Sequence, residues 1–377
     1  MSPGAIKGLI YAASIGLGLL FGIWPGGTRR GKPAWWRWGV AAVLLLLVLA
    51  AFGIPMGGAA ATAKNVGRAR GADVVVPVYG TVHQLPSAVQ GSDELVVVDD
   101  NGDKAPFVVA QGVDCSELKV GDRAILEGTY LGANDRHNDR FALKRVAAVN
   151  PSLVFPVVPG LEEQSRNLYF HVPSAWLSQL GWFVALWFGV RYLRRRDPDD
   201  DIRAATAAGI GVLFCVLAYL TGAFWALNNW GQQIQNWLTD PRLVSIYAVL
   251  LIYGAYFALR SALTNPEQRA RISAVYLGLL ALPIVFFVFV YPRLNTGLHP
   301  GSEGSENAGP LVSAQANAIN PLSLAVFALA WFGFTLLFFW ILNVSARTRL
   351  LARDLQRERL DASEPEAAVP TLRPVAR

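Results

Sequence analysis

Charge is what this sequence has least of. Only 16% of its 377 residues are Asp, Glu, Lys or Arg, against roughly 25% in soluble domains, and 53% are hydrophobic. That balance excludes an ordinary soluble protein. Cysteine is nearly absent: Cys115 lies in a polar segment and Cys215 inside an apolar run, so the two are not expected to pair and set no redox compartment. The sequence also lacks a Gly-rich phosphate loop, HExxH, a paired-cysteine metal site and a GxSxG turn, the patterns that carry nucleotide, zinc and acyl chemistry. No catalytic residue is assigned, and an enzyme is the least supported class; any chemistry has to come from a bound cofactor.

What the chain has instead is long apolar runs, at about 5–24, 38–57, 174–193, 204–226, 243–262, 272–291 and 321–343, each near the ~20 residues that span a bilayer. They predict about seven transmembrane helices. The formal net charge of +6 is concentrated just beyond their ends, in "GGTRRGKPAWWRW", "RYLRRRDPDDDIR", "RSALTNPEQRARIS" and "SARTRLLARDLQRER". With alternating spans all four segments fall on one side, and the positive-inside rule makes it cytoplasmic. Segment 58–173 and the loops "NNWGQQIQNWLTDPR" and "YPRLNTGLHPGSEGSENAGP" then face out, as does the N-terminus. The first run also has the look of a signal peptide, but no small-residue cleavage site follows it, so a retained helix is expected. The spans from 172 onward read as nearly free of interruptions and of ionisable residues, which argues against substrate passing through their core.

Residues 71–150 differ in character. "ADVVVPVYGTVHQL", "ELVVVDD", "APFVVA", "RAILEGTYLG" and "FALKRVAAV" are β-rich runs separated by the turns "DDNGD", "KVGD" and "GANDRHND",. Five strands in this length suit a small barrel of the OB type. Within 71–150 the 12 acidic residues outnumber the 7 basic ones, so a nucleic-acid partner is not expected. His83 and His137 read as surface residues. The expected architecture is therefore a polytopic α-helical membrane protein with an inserted OB-like extracytoplasmic β-barrel: 1–57 two helices, 71–150 the barrel, 165–345 a five-helix domain and 346–377 a cytoplasmic tail.

"NLYFHVPSAW" sets His171 and Pro173 at the mouth of the third span. A first helical turn tolerates the proline but does not account for the imidazole. A second outer histidine, His299, stands in "NTGLHP". An outer histidine near a helix end also has a plainer reading as a solvated polar group, and Trp176, Trp182, Trp225, Trp230 and Trp237 also fit an aromatic belt at the outer interface. Asp240-Pro241 and Asn265-Pro266 read as helix starts, with the polar residue as N-cap and proline at the first helical position.

The order of H-V-P-S-A-W, "TGAFW", a Trp-containing outer loop ending in "DPRLVS", and "NTGLHP" resembles the heme exporter protein C family, the tryptophan-rich haem-handling membrane proteins of cytochrome c maturation. The resemblance covers about 165–345. It implies that His171 and His299 ligate the iron of haem b from opposite sides, while Trp225, Trp230, Gly231, Trp237, Asp240, Arg242 and Ser245 align with the porphyrin platform, with Arg242 toward a propionate. The family's W-G-x-W-W-x-W-D core reads here "WGQQIQNWLTD", and "YPRLNTGLH" stands where a Trp pair usually precedes the second histidine. The insert resembles the periplasmic haem chaperone of the same system, yet "KRVAAVNPSL" has no histidine where that family attaches haem, so generic OB similarity is the description kept. The resemblance implies haem, a haem chaperone, other maturation membrane proteins and an ATP-binding cassette subunit as partners, and residence in the inner membrane with the barrel in the periplasm. Two readings stay open: a protein that binds and presents haem at the outer face, and a haem-free scaffold that anchors the barrel and docks other maturation components.

Overall fold

The computed structural model describes residues 3–27, 30–86, 94–109, 112–133, 139–229, 239–297, 299 and 319–363. In chain order its helices are α1 (Pro3–Ile23), α2 (Ala34–Gly53), α3 (Ala60–Arg70), α4 (Leu168–Arg195), α5 (Pro198–Asn229), α6 (Pro241–Ala262), α7 (Pro266–Leu279), α8 (Ala281–Val285) and α9 (Pro321–Ser363). Helices α1, α2, α5, α6 and α9 are each long and apolar enough to cross a bilayer, and the bent pair formed by α7 and the segment from Ala281 to Arg293 makes a sixth. Helix α4 has the length, 28 residues, but Ser174, Ser178, Gln179 and three tryptophans dilute its apolarity. Because α4 packs against α5, α7 and α9, the three polar residues face the bundle interior, where they are buried. The protein is a multi-pass membrane protein, and every expected span has its helix.

Two spans depart from expectation. Helix α4 begins at Leu168, so Pro173 lies inside it rather than in its first turn. The added residues are apolar and aromatic, and they pack: Phe170 stacks on Phe52 at 5.3 Å and Tyr169 on Phe155 at 5.7 Å between ring centres. Lacking an N–H, Pro173 gives the Tyr169 carbonyl no intrahelical donor. The span expected at 272–291 is interrupted: α7 stops at Leu279, α8 is bent from it by 42°, and a π-helical turn Phe286–Val290 and a 3₁₀ turn Tyr291–Arg293 follow. Pro283 explains the break, because it cannot donate to the Leu279 carbonyl one turn back.

The four basic segments meet at one end of the bundle. Asn343 Nδ2 donates to the Gly27 and Arg30 carbonyls at 3.1 and 2.8 Å, Arg353 pairs with Asp199 at 2.8 Å, Arg260 with Asp201 at 2.8 Å, and Tyr192 Oη reaches the Glu267 carbonyl at 3.4 Å. Asp200 and Arg203, 0% and 1% exposed, pair at 3.1 Å, and Arg191 lies 3.2 Å from the other oxygen of Asp200. Alternation of the spans, read from charge, is thus matched by the packing.

The opposite end carries the barrel. Strands β1 (Met56–Gly57) and β7 (Phe155–Pro156) pair in parallel where the chain leaves α2 and returns toward α4, making a neck. Arg166 ties it: Nη1 donates to the Ala51 and Ile54 carbonyls at 2.7 and 2.8 Å, satisfying acceptors at the end of α2, while Glu163 holds the other side of the guanidinium. Beyond the neck, β2 (Val75–Gln84), β3 (Glu94–Val98), β4 (Lys104–Val109), β5 (Arg123–Ala133) and β6 (Asp139–Val149) close in the order β2-β3-β4-β6-β5, with β4 and β6 parallel and the other pairs antiparallel. Alternate residues point inward, among them Val76, Val78 and Val82, and meet Phe107 and Phe141, whose rings lie 5.3 Å apart. Helix α3 packs on this core through Ala60, Ala63 and Val66. Asp99 joins the two: Oδ1 accepts from Asn101 and Asp103 within the turn, and Oδ2 accepts from the Ala60 amide at the start of α3.

Candidate functional site

The barrel end of the bundle gathers most of the residues singled out in the sequence. Helices α4 and α5 run antiparallel and approach closely at Gly181 and Gly211, where a Cβ on Gly181 would lie 2.5 Å from the Gly211 Cα. Small residues permit this approach of backbones. Ten residues along each helix from that point, His171 of α4 meets Thr221 and Gly222 of α5. The imidazole Nδ1 lies 3.1 Å from Thr221 Oγ1. Asn167 Nδ2, just before α4, donates to the Thr221 carbonyl at 3.2 Å, closing the same corner. Trp225 lies one turn beyond Thr221 on α5, on the same face, and is half-buried.

Asp240 and Arg242 stand at the start of α6. Asp240 is buried, and its Oδ1 accepts from the Arg242 amide at 2.9 Å with Pro241 at the first helical position, the N-cap expected from sequence. Asn265 caps α7 in the same way, accepting from Glu267 and Gln268 at 3.0 Å. Ser245 returns its hydroxyl to the Pro241 carbonyl at 2.7 Å. Arg242 Nε is buried without a hydrogen-bond partner. The 3₁₀ turn that holds Arg293 packs on α6, and His299, half-buried, follows six residues later.

Not every expected site residue falls here. Trp230, Gly231 and Trp237 lie outside the described residues, as does His137. His83 is exposed on the barrel, as expected. Trp182 is not part of an interfacial belt: it is 0% exposed and meets Tyr253 edge-on at 5.1 Å, because it lies deep along α4 where α6 covers it. Trp176 stacks on Trp331 of α9 at 5.8 Å with the rings nearly parallel. Thr221 and Gly222 were not singled out as site residues; the signal for them was their place in "TGAFW", one turn ahead of Trp225.

A cationic guanidinium with a buried, unpartnered N–H and an imidazole held at a helix end can receive a ligand that is both a metal centre and a carboxylate. The heme exporter protein C family matches residues 148–361, more than half of the chain and the whole of this bundle except α1 and α2. The chain belongs to that family. Among its relatives, heme exporter protein C of Rhodobacter capsulatus is 32% identical over 224 residues, covering 57% of this chain and 88% of the relative. Heme exporter protein C of Paracoccus denitrificans is 30% identical over 190 residues, 50% of this chain and 75% of the relative. A cytochrome c biosynthesis ccmC-like mitochondrial protein of Marchantia polymorpha is 33% identical over 127 residues, 33% of this chain and 52% of the relative. The family match begins after nearly all of the barrel's last strand, so most of the barrel lies outside the matched residues.

Proposed function

We propose that this protein serves cytochrome c maturation by binding haem at the barrel end of its bundle and presenting it there to the maturation machinery. The observation that carries the reading is the corner at His171, where a family-like histidine is seated against Thr221 and Gly222; Arg242, at the start of α6, has a buried Nε with no partner. His171 and His299 would hold the iron through ring nitrogens, Arg242 would offer a cation to a propionate and Trp225 an apolar face; Trp230 and Trp237, from the stretch that follows Trp225 in sequence, would add further apolar faces. Imidazole is a strong ligand for haem iron, and a guanidinium suits a carboxylate. Haem b supplies the redox-active iron when bound; the protein's part is to seat and orient it. The positive-inside rule places the basic end in the cytoplasm, which puts the barrel and both histidines on the periplasmic side of an inner membrane. A haem chaperone and other maturation membrane proteins are the recipients on that side, and an ATP-binding cassette subunit is a partner at the basic end.

A second reading has one observation in its favour: the paired neck strands and the Arg166 clamp couple the barrel firmly to α2, as a scaffold requires. One experiment separates the two. Protein purified in detergent from haem-replete cells is expected to show a Soret band and a pyridine haemochrome of haem b, reduced or shifted in both His171→Ala and His299→Ala. A folded, colourless wild type whose function survives both substitutions and fails on removal of 71–150 leaves the scaffold.

A further inference from the structure

Histidine binds a metal through one ring nitrogen, and which one is decided by the hydrogen bond the other makes. The corner at His171 contains that decision. Nδ1 faces Thr221 Oγ1 at 3.1 Å. The hydroxyl has one proton, and its own helix provides two acceptors for it: the Leu217 carbonyl at 2.8 Å and the Ala218 carbonyl at 3.2 Å. Carbonyls only accept, so the hydroxyl proton is drawn to them, and a lone pair of Oγ1 is what it turns toward the imidazole. Nδ1 therefore has to bring the hydrogen. We infer that Thr221 is a positioning residue that holds His171 in the Nδ1–H tautomer and leaves the Nε2 lone pair for a metal.

Gly222 fixes the seat. A Cβ there would stand 2.8 Å from His171 Cε1, 3.4 Å from Nδ1 and 3.6 Å from Nε2, so any side chain would push the ring off α5 and break its register with Thr221. Glycine makes the slot, threonine sets the proton, and the ligating edge of the ring follows from both. The inference rests on the reading of His171 as a haem ligand for its purpose, but the tautomer itself is a property of the protein without haem.

The test uses the whole chain in lipid nanodiscs, first without haem. The sequence has four histidines, so ¹⁵N labelling of the imidazoles gives a spectrum in which the two neutral tautomers are distinguished by their nitrogen shifts. Wild type is expected to contain one Nδ1–H imidazole that vanishes in His171→Ala. Thr221→Val, similar in shape but without the oxygen, is expected to move part of that signal to the Nε2–H form; Thr221→Ser is expected to restore it. On adding haem, Thr221→Val is expected to lower affinity about 10–100-fold, the range for loss of an outer hydrogen bond to a metal-bound histidine, with a shifted Soret band, whereas Thr221→Ser stays near wild type. An Nε2–H form of His171 in the wild type overturns the inference without any variant having to fold. So does a Thr221→Val spectrum identical to wild type. An Nδ1–H imidazole in a wild type that binds no haem overturns instead the haem reading of this site, and with it the ligand-positioning role, while the hydrogen-bond assignment stands.

Discussion

The two ends of the bundle are held by different kinds of contact. At the basic end, charged groups are paired: Asp199, Asp200 and Asp201, consecutive in the first turn of α5, reach Arg353, Arg203 and Arg260 on three different stretches of chain. Each carboxylate also sits where the α5 dipole favours negative charge. At the barrel end single residues from different elements meet: His171 is anchored through one nitrogen to Thr221, Pro173 inside α4 leaves the Tyr169 carbonyl without an intrahelical donor,, and Arg242 has a buried Nε without a partner, as Arg203 has at the basic end. The comparison teaches that one end ties helices together through a cluster of ion pairs, while the other brings the candidate site residues of α4, α5 and α6 to one side of the membrane part.

If so, the two ends must fail differently. The largest stability loss is expected from Arg203→Ala, which strands the 0%-exposed Asp200 with Arg191 alone. Breaking a buried pair by removing one partner typically costs about 3–5 kcal/mol, enough to be plain as a lower melting temperature in detergent. His171→Ala, at the other end, is expected to leave that temperature almost unchanged while reducing or shifting the Soret band. A large loss of stability from His171→Ala and none from Arg203→Ala would break the comparison.

The neck sharpens it next. Arg166 is 7% exposed and gives charged hydrogen bonds to two carbonyls at the end of α2, each kind of bond worth about 1.5–3 kcal/mol. Arg166→Ala is expected to raise hydrogen exchange at Ile54, Met56, Gly57, Phe155 and Val157 and to leave the amides of α5 and α9 protected. Exchange rising equally throughout the bundle would show that the neck is not a separate joint between barrel and membrane.

How much of this was legible in the sequence follows from the range of each interaction. The seven spans and five strands depend on local composition and on the period of apolar residues, and both signals were strong. The end-to-end sorting of charge was legible too, because the positive-inside bias is written in the loops. Helix α3 was missed: its buried face is Ala60, Ala63, Val66 and Gly67, too small to stand out as a hydrophobic stripe. Pro283 was visible, but whether proline kinks or breaks a span depends on its neighbours. His171 was found by its motif, whereas its partner Thr221, fifty residues away, depends on the register of α4 against α5, which two glycines set by close approach. The depth of Trp182 along α4 was hidden for the same reason, since α6 covers it only in the folded bundle.

The smallest expected effect lies in the barrel, where a charged cluster behaves like neither end. Asp139, 5% exposed, accepts from Arg68 Nε at 3.1 Å and also from Tyr130 Oη. Chiefly through the Arg68 hydrogen bonds, its carboxyl is held below the usual range despite burial. The sign follows from linkage: a carboxylate with a lowered folded-state pKa adds stability that is fully present above the unfolded value of about 3.9 and is lost as pH falls through the folded value. Because Arg68 stands largely in water, solvent screens the pair and the contribution is small. Hydrogen exchange of β5 and β6 amides in the full chain is therefore expected to be slightly faster in Asp139→Asn than in wild type at pH 6, after correction for intrinsic rates. The difference is expected to persist to about pH 5 and to close as the pH drops below about 4. A difference that widens on acidification would mean that protonated Asp139 is the better partner, and would separate this cluster from the paired charges of the basic end.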